Sequence, residues 1–401
     1  MDWAERIDED LEHQIIAWRR HLHANPELSF QEHETTRLIT GIMEEWGIPM
    51  ERPLETGVVA HVKGGKAGPT IAVRCDIDAL PIQEENAFDF VSTRPGVMHA
   101  CGHDGHTAIL LGLAKVLSEI RPELCGEVRL LFQPAEEVLE SGARHFIDKG
   151  VLDGVDLIIG LHLLSDLEVG KISLRPGPIM ASADEFQITV VGRGGHGASP
   201  HQTIDSLVIA ASLVSELQTL VSRRIDPLDP VVLSVGTFHA GTAFNIIPST
   251  SVLTGTVRTL SESVRDLVER ELTTLATKHA LAYGAAVEVV YRRGHPSLAN
   301  HEQVVGFLKP AVAATVGSDA SVEIRPLMGA EDFAAYSMIV PSAFAFVGSR
   351  NASIGADFPH HHPRFTVDER ALGLGLRFFI ESLELASSSG ASLPKFRSPK
   401  K

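Results

Sequence analysis

The sequence predicts an α/β protein, in which a smaller α+β domain is inserted into a domain built on a mostly parallel mixed sheet. Short apolar runs, typical of buried strands, alternate with segments of helical periodicity in the first part of the chain. From about residue 183 the order becomes strand, helix, two strands, helix, strand, which is typical of a ferredoxin-like layer. A chain of 401 residues is longer than a single hydrophobic core usually accommodates, which indicates about two domains.

The first part of the chain supplies the elements of the larger domain. Residues 2–23 and 31–46 have helical spacing, and Asn25 with Pro26 separates them. The remaining elements are strands at 57–62, 70–73, 128–132 and 157–160 and a helix at 105–120. We therefore expect a layered sheet whose strands lead directly into the chemically interesting motifs.

The later elements define the inserted domain. Its helices are predicted at 205–223 and 263–279, between the strand segments FQITVVGRG, VVLSVGTFHA, SVLTGTVRT and AAVEVVY. The predicted division is 1–183 and 299–388 for the larger domain, 184–298 for the insertion and 389–401 for a disordered tail. That tail is basic and poor in apolar residues.

Metal-binding residue types crowd the segment HACGHDGH, residues 99–106. It holds Cys101, three histidines and Asp104. Such side chains must be deprotonated and desolvated together, and a bound metal ion offsets that cost because it turns their lone pairs into coordination bonds. The segment therefore predicts a metal site.

Three further groups support this prediction. Glu136 and Glu137 stand side by side after an apolar run, and His162 follows the next such run. FPHHHPRF adds His360, His361 and His362 near the C-terminus. Taken singly, these groups would be solvated glutamates, a histidine bonded to backbone and a surface loop. Their conjunction favours a metal centre in which one carboxylate binds an ion while the other moves protons.

The chain resembles the aminoacylase and carboxypeptidase superfamily of di-metal peptidases. Within it, the chain is most similar to the amidohydrolase branch of hippurate hydrolases, N-acyl-amino-acid amidohydrolases and auxin-conjugate hydrolases. The blocks that carry the resemblance run in order over nearly the whole chain: RRHLHANPELSFQEHET, RCDIDALPI, HACGHDGH, PAEE, GLH, GRGGHGASPH, NIIPS, GTVRT, GAEDF and HHPRF.

The resemblance implies five metal ligands. They are Cys101, His103, Glu137, His162 and His361. His361 is chosen among three consecutive histidines because a proline and a phenylalanine follow it at the family's spacing. Five ligands suit two divalent cations per subunit, with the cysteine sulfur as a bridge. Manganese or zinc is expected, and cobalt or nickel stays open.

The resemblance also implies catalytic and substrate-binding residues. Glu136, the carboxylate that is not a ligand, would take a proton from the attacking water and give it to the departing amine. His196, in GRGGHGASPH, would donate to the developing oxyanion. Without a metal site, that motif would be only a flexible turn or a weak phosphate loop. Asn245 and Arg258 are candidates for binding a substrate carboxylate, although Arg258 is equally well explained as an ordinary strand-surface arginine.

The inserted domain explains why His162 and His361 lie 199 positions apart in the sequence. Because the candidate oxyanion and substrate residues lie on the insertion and the ligands do not, we expect it to act as a lid with hinges near residues 183 and 298. In relatives the lid also pairs subunits, so the resemblance implies a homodimer or higher homo-oligomer. His196 then acts either within its own subunit or across the interface.

Composition excludes other classes of function. With 51 acidic against 35 basic residues, the net charge of −16 argues against nucleic-acid binding and against an anionic membrane surface. No apolar run approaches the ~20 residues of a membrane span, and the acidic start MDWAERIDED lacks a signal-peptide core. Three cysteines form no even disulfide framework, so we expect a reducing, cytoplasmic location.

The expected activity is metal-dependent hydrolysis of the amide bond of N-acyl amino acids, a small-molecule substrate, to a carboxylic acid and a free amino acid. The acyl group could be acetyl, benzoyl or indolyl-acetyl. A dipeptidase or carboxypeptidase on short peptides is the alternative enzyme, and it would require a free α-amine beside the scissile bond. A non-catalytic binding protein and a structural zinc site are further alternatives, but neither explains why Glu136 stands beside a metal ligand.

Overall fold

The computed structural model describes residues 3–388 and residue 393 of the chain. The tail predicted at 389–401 lies outside the described residues, apart from Leu393. The helices are α1 (Glu9–Ala24), α2 (His33–Glu45), α3 (His103–Ile120), α4 (Gly142–Asp148), α5 (Ser206–Arg224), α6 (Glu262–Ala282), α7 (Glu302–Val316), α8 (Phe333–Ser337) and α9 (Arg370–Ser388). The strands are β1 (Met50–Glu51), β2 (Val58–Lys63), β3 (Lys66–Asp76), β4 (Cys125–Gln133), β5 (Leu157–Glu168), β6 (Ile172–Ser173), β7 (Gly177–Met180), β8 (Asp184–Val191), β9 (Gly195–His196), β10 (Val231–Ala240), β11 (Ile246–Ile247), β12 (Thr250–Thr259), β13 (Ala286–Arg293), β14 (Leu298–Asn300), β15 (Ser321–Val322) and β16 (Ser342–Arg350).

The described chain forms two compact units. The first combines the described residues up to Gly177 with Ala299–Arg325 and those from Ala335 onward, and the second combines Pro178–Leu298 with Pro326–Ala334. The predicted insertion, 184–298, differs from the second unit because it starts later and omits 326–334. Backbone hydrogen bonds explain the addition of that segment. Leu327 donates to Ile179 O at 2.9 Å, and Ala181 donates to Gly329 O at 2.8 Å.

An eight-stranded mixed sheet lies at the centre of the first unit, in the order β1-β2-β4-β3-β5-β16-β6-β15. Its central strands β4, β3, β5 and β16 pair in parallel, and β2 and β6 flank them in antiparallel fashion. Successive residues in the second half of β3, from Ile71 to Asp76, are all buried, so both faces of the sheet are covered there. This architecture confirms the predicted α/β class with a mixed, mainly parallel sheet.

The carboxyl ends of the parallel strands carry the motifs. β3 ends at Asp76 and β4 at Gln133, and these two residues are register partners. The strand predicted to end at residue 160 instead continues through His162, because His162 is paired with Phe346 of β16. A histidine expected after a strand therefore lies within one, where the neighbouring strand fixes its backbone.

The second unit contains a four-stranded antiparallel sheet in the order β10-β12-β8-β13. Its element order is the strand, helix, two strands, helix, strand predicted for this segment. Helices α5 and α6 bury apolar residues such as Leu213 and Leu272 in a core with Phe186 and Leu253 of the sheet. Burial of those side chains supplies the main stabilising free energy of this layer.

A buried ion pair also stabilises the second unit, and its loss should be measurable. The Arg265 side chain is only 4% exposed and donates to Asp184, with Nε and Oδ2 2.9 Å apart. Replacing Arg265 by methionine should lower the free energy of unfolding by about 3–5 kcal/mol, because a buried carboxylate loses its cation. Urea unfolding followed by circular dichroism measures the change.

The matched control is Arg293, which pairs with Glu269 but is 39% exposed. Arg293→Met should cost about 1 kcal/mol or less, because solvent screens exposed ion pairs. Equal losses in the two variants would show that burial does not decide the strength of this network.

None of the helices in the described part of the chain combines the length and the apolar character that crossing a lipid bilayer demands.

Candidate metal centre

The start of α3 positions two of the predicted ligands, Cys101 and His103. The helix was predicted to begin at residue 105, but it begins at His103 because Gly102 adopts a left-handed φ of 98°. A residue without a Cβ atom enters that conformation at little cost. His103 therefore lies in the first turn of a helix that is buried for almost its whole length.

Hydrogen bonding defines which ring nitrogen of His103 can bind a metal. Its Nδ1 lies 2.9 Å from the backbone oxygen of Asp78, which can only accept, so Nδ1 carries a proton. The Asp78 carboxylate lies 3.3 Å from the same nitrogen. The other nitrogen, Nε2, is buried and has no hydrogen-bond partner among the described residues. Such a histidine presents a free lone pair toward a metal ion.

His162 is oriented in the same way. Its Nδ1 donates to Leu163 O at 2.8 Å, which leaves the Nε2 lone pair free. That Nε2 atom lies 3.4 Å from Cys101 Sγ. Burial lowers the pKa of His162 well below its usual range, and the neighbouring His106 adds to the effect. The ring is therefore neutral, as a metal ligand must be.

The structure brings the five predicted ligands together within the first unit. One ligand atom each from Cys101, His103 and Glu137 lies within 4.8 Å of the others. His361 joins them, because its Nε2 atom lies 3.3 Å from Glu137 Oε1, and His162 joins through the cysteine sulfur. Glu137 Oε1 is buried without a hydrogen-bond partner in the described part of the chain.

Two further histidines, His106 and His360, lie beside this cluster and were not among the predicted ligands. Both nitrogens of His106 are used, since Nδ1 donates to Asp76 at 2.6 Å and Nε2 accepts from Leu163 N–H at 2.9 Å. His360 Nε2 accepts from Ser165 N–H at 3.2 Å. Both nitrogens of His106 thus support the cluster through hydrogen bonds, whereas His360 Nδ1 is buried without a hydrogen-bond partner among the described residues.

The charges around the cluster favour a cation. Burial alone would lower the pKa of His103, but the carboxylates of Asp76 and Asp78 outweigh it and raise that pKa to about 10. Burial, together with Glu137, raises the pKa of the Cys101 thiol well above its usual value. The protein alone thus holds protons where negative charge accumulates. Divalent cations fit these donors, because a cation balances the same negative charge as the protons and displaces them.

The PAEE loop is held in an unusual conformation beside the ligands. Ala135 has a φ of 53°, in the left-handed region that residues with a Cβ atom rarely adopt. Asp78 accepts from the next two amides, Glu136 N–H through Oδ1 and Glu137 N–H through Oδ2, each at 3.1 Å. His361 is also left-handed, with a φ of 65°. Strain of this kind persists where the surroundings over-determine it and clusters at functional sites.

Variants of the adjacent His360 and His361 should distinguish a metal ligand from a residue that only supports the site. We expect His361→Ala to lower the bound metal per subunit, because the His361 Nε2 atom lies 3.3 Å from Glu137 Oε1, next to the other candidate ligands. His360→Ala should keep the metal, since the Nε2 atom of His360 already accepts a backbone hydrogen bond. Elemental analysis of purified protein measures both. If only His360→Ala lost metal, His360 would be the ligand and His361 the supporting residue.

The remaining predicted residues lie in the second unit. His196 pairs with Ile246 in the short β9-β11 ribbon, and Gly197 N–H donates to Asn245 O at 2.8 Å, so His196 and Asn245 are neighbours. Both are exposed. Arg258 lies near the far end of β12, about 26 Å from Thr250 at 3.3 Å per residue. Since β12 begins beside the ribbon, the structure does not bring Arg258 to the other two.

The chain matches the model of one protein family, Peptidase family M20/M25/M40, over residues 72–384. That match covers more than half of the sequence and includes the five candidate ligands and Glu136.

The chain belongs to this family.

This M20-family protein is similar to two relatives of known name and to one solved structure. It is 48% identical over 299 residues to an N-acyl-L-amino acid amidohydrolase of Geobacillus stearothermophilus, covering 74% of this chain and 81% of that protein. It is 40% identical over 382 residues to thermostable carboxypeptidase 2 of Saccharolobus solfataricus, covering 94% and 96%. The structure of a Bacillus subtilis protein, described as a dinuclear metal-binding peptidase of the M20 family, has a TM-score of 0.83 and 38% identity and covers 95% and 99%.

These likenesses and the clustered donors make the M20-family chain a metal-dependent amidohydrolase. The predicted family and enzyme class are confirmed.

Proposed function

We propose that this amidohydrolase cleaves the amide bond of N-acyl amino acids and releases a carboxylic acid and a free amino acid. The observation that carries the proposal is the pair Glu136 and Glu137. The buried Asp78 carboxylate holds both of their backbone amides, yet only Glu137 contributes to the ligand cluster. A carboxylate fixed next to a metal site but outside the ligand set is suited to proton transfer. The name of the Geobacillus relative supports the substrate class.

Two divalent cations per subunit, manganese or zinc, would be held by the five candidate ligands. When bound, such ions supply Lewis acidity toward the scissile carbonyl and the attacking water. The description of the Bacillus subtilis structure as dinuclear supports the number, and the mixture of thiolate, imidazole and carboxylate donors supports the choice of ions.

The protein's own groups then divide the remaining work. Glu136 accepts the proton of the attacking water and returns it to the amide nitrogen as the carbon–nitrogen bond breaks. Asp78 keeps Glu136 and the ring of His103 in place through hydrogen bonds. His196 donates to the carbonyl oxygen as negative charge develops on it. Arg258 binds the carboxylate of the amino-acid product half, and Asn245, the neighbour of His196, reaches the same carboxylate from the other subunit.

The arrangement of the second unit supports action across a homodimer. His196 and Arg258 lie at opposite ends of β12, so one copy of this unit does not present both to a single small substrate. In the proposed dimer, His196 of one subunit completes the site of the other.

Complementation between inactive variants tests this arrangement. Glu136→Ala and His196→Ala are purified separately, mixed under conditions that exchange subunits, and assayed. Action across the interface predicts that activity reappears, because one mixed site holds both intact residues. An inert mixture that contains heterodimers, checked by native mass spectrometry, would place His196 in its own subunit.

A matched substrate panel tests the proposed function itself. N-acetyl, N-benzoyl and indolyl-acetyl amino acids are compared with dipeptides of the same C-terminal residue, using protein loaded with Mn²⁺ or Zn²⁺. We expect amino-acid release from the blocked substrates. Release only from dipeptides with a free amine would favour the second candidate, a peptidase, which the likeness to the Saccharolobus carboxypeptidase supports.

A reducing cytoplasm is the location we propose for this activity. All three cysteines, Cys75, Cys101 and Cys125, are free. A reducing compartment keeps Cys101 reduced, so that its thiolate is available to bind a metal ion.

A further inference from the structure

Glu32 is a buried carboxylate that has no role in the proposed chemistry. It stands directly before α2, in the N-cap position, and it is fully buried. A side chain at this position ordinarily accepts from the first amides of its own helix, but Glu32 makes no such hydrogen bond. Glu27 does so instead, since its Oε2 accepts from Glu34 N–H and Thr35 N–H at 2.9 Å each. The helix therefore does not explain Glu32.

The Glu32 carboxylate is directed to the PAEE loop. Its Oε1 accepts from Ala135 N–H at 2.9 Å. With the two hydrogen bonds to Asp78, three consecutive amides, those of Ala135, Glu136 and Glu137, are held by buried carboxylates from two distant segments. Ala135 is also the residue that adopts the left-handed conformation. The contact thus falls on the backbone unit that sets the direction of the chain entering Glu136.

Keeping a carboxylate in this place is costly. Burial, together with the nearby charge of Asp78, raises the pKa of Glu32 to about 7. An apolar residue of similar size would avoid that cost and could fill the same space. An apolar residue could not reproduce the hydrogen bonds of this carboxylate, which involve the Thr56 side chain and the Ala135 amide, and the bond to Ala135 is the one directed at the PAEE loop.

We infer that Glu32 is a positioning residue for Glu136: it stabilises the left-handed backbone at Ala135 and thereby fixes where the Glu136 carboxylate stands. This inference rests on the proposed role of Glu136 in proton transfer. A proton-transfer group must lie within hydrogen-bond reach of the proton, and a misplacement of about 1 Å can cost ~10²-fold in rate.

Steady-state kinetics of Glu32 variants test the inference. Glu32→Ala should lower kcat by about ten- to a hundredfold, with KM and bound metal unchanged, because neither the ligands nor the substrate contacts are altered. Glu32→Gln keeps an oxygen that can accept from Ala135 N–H and should recover most of kcat. This variant also remains informative if Glu32→Ala folds poorly. A kcat for Glu32→Ala equal to that of the wild type would overturn the inference.

The matched control is Glu27, a buried carboxylate of the same segment that accepts from backbone amides of α2 and from the Arg94 guanidinium, but from no amide of the PAEE loop in the described part of the chain. Glu27→Ala should lower the melting temperature through loss of the helix cap while kcat stays at the wild-type value. If both alanine variants lose stability and kcat in parallel, Glu32 is only structural and the inference fails.

Amide hydrogen exchange provides a readout that does not need an active enzyme. In metal-free protein, Glu32→Ala should speed exchange of the Ala135 amide, read from overlapping peptides that cover residues 132–141, whereas Glu27→Ala should not. Unchanged exchange in Glu32→Ala would contradict the proposed contact. If the wild type hydrolyses no N-acyl amino acid, the proposed function fails, and exchange still decides whether Glu32 holds the loop.

Discussion

Replacing Glu136 by alanine is expected to lower kcat by about 10²–10⁴-fold, the range typical of a lost general acid and base. The bound metal should stay at the wild-type level, because the group of candidate ligands that contains Cys101 and His103 includes the neighbouring Glu137 and not Glu136. Stopped assays of amino-acid release give kcat, and elemental analysis gives the metal per subunit. The combination matters, since loss of activity with full metal assigns Glu136 to chemistry instead of coordination.

Glu140 offers a control on the same loop, because it is exposed. Glu140→Ala removes the same charge a few residues away and should leave both kcat and metal content unchanged. Full activity in Glu136→Ala would remove the proposed proton-transfer role. Loss of metal in that variant would instead make Glu136 a ligand.

Replacing Cys101 by alanine is expected to have the second largest effect: loss of metal together with activity. The Cys101 sulfur lies 3.4 Å from His162 Nε2, and it shares a 4.8 Å cluster with His103 and Glu137, so its removal takes away the atom common to two groups of donors. The control is Cys125→Ala, another free cysteine, which is not a member of these clusters. It should retain both metal and activity.

The pH dependence of metal affinity should separate the Cys101 contribution from a general loss of structure. The pKa values of Cys101 and His103 are both raised, so at neutral pH the metal-free protein holds protons on both. Binding a cation releases them, and affinity should weaken as pH falls, by about tenfold per unit for each proton. Cys101→Ser or Cys101→Ala releases one proton fewer, so its titration should be shallower. An affinity independent of pH in the wild type would contradict this account.

Sequence patterns were sufficient for the fold class and for the cluster of donors. Apolar runs that precede Glu136 and His162 predict two strands of one sheet, and the structure places Glu136 just after β4 and His162 within β5. The spacing around His361 singled it out among three histidines, and the structure puts its ring 3.3 Å from Glu137. Local periodicity and motif spacing carry such information because parallel strands share an edge. The assignment of these residues as ligands stays a prediction.

The supporting contacts could not be read from the sequence. The hydrogen bond from the Ala135 amide to Glu32 joins residues 103 positions apart, and the one between His106 and Asp76 joins residues 30 apart. Neither has a periodic signature, since it depends on how two folded segments meet. The same holds for segment 326–334, which joins the second unit through backbone hydrogen bonds that any residue could make. The block RRHLHANPELSFQEHET was nonetheless the signal that could have drawn attention to Glu32.

The position of β16 inside the large sheet has a consequence for folding during translation. This strand pairs with β5, whose residues are buried along nearly its whole length, and it is the last strand of the sheet to leave the ribosome. Until then β5 has an unpaired apolar edge, which is the kind of surface that recruits other chains. His361 follows β16 in sequence, so a nascent polypeptide cannot present its full set of donors during most of translation. The proposed metal centre can therefore be completed only after most of the chain has been synthesised.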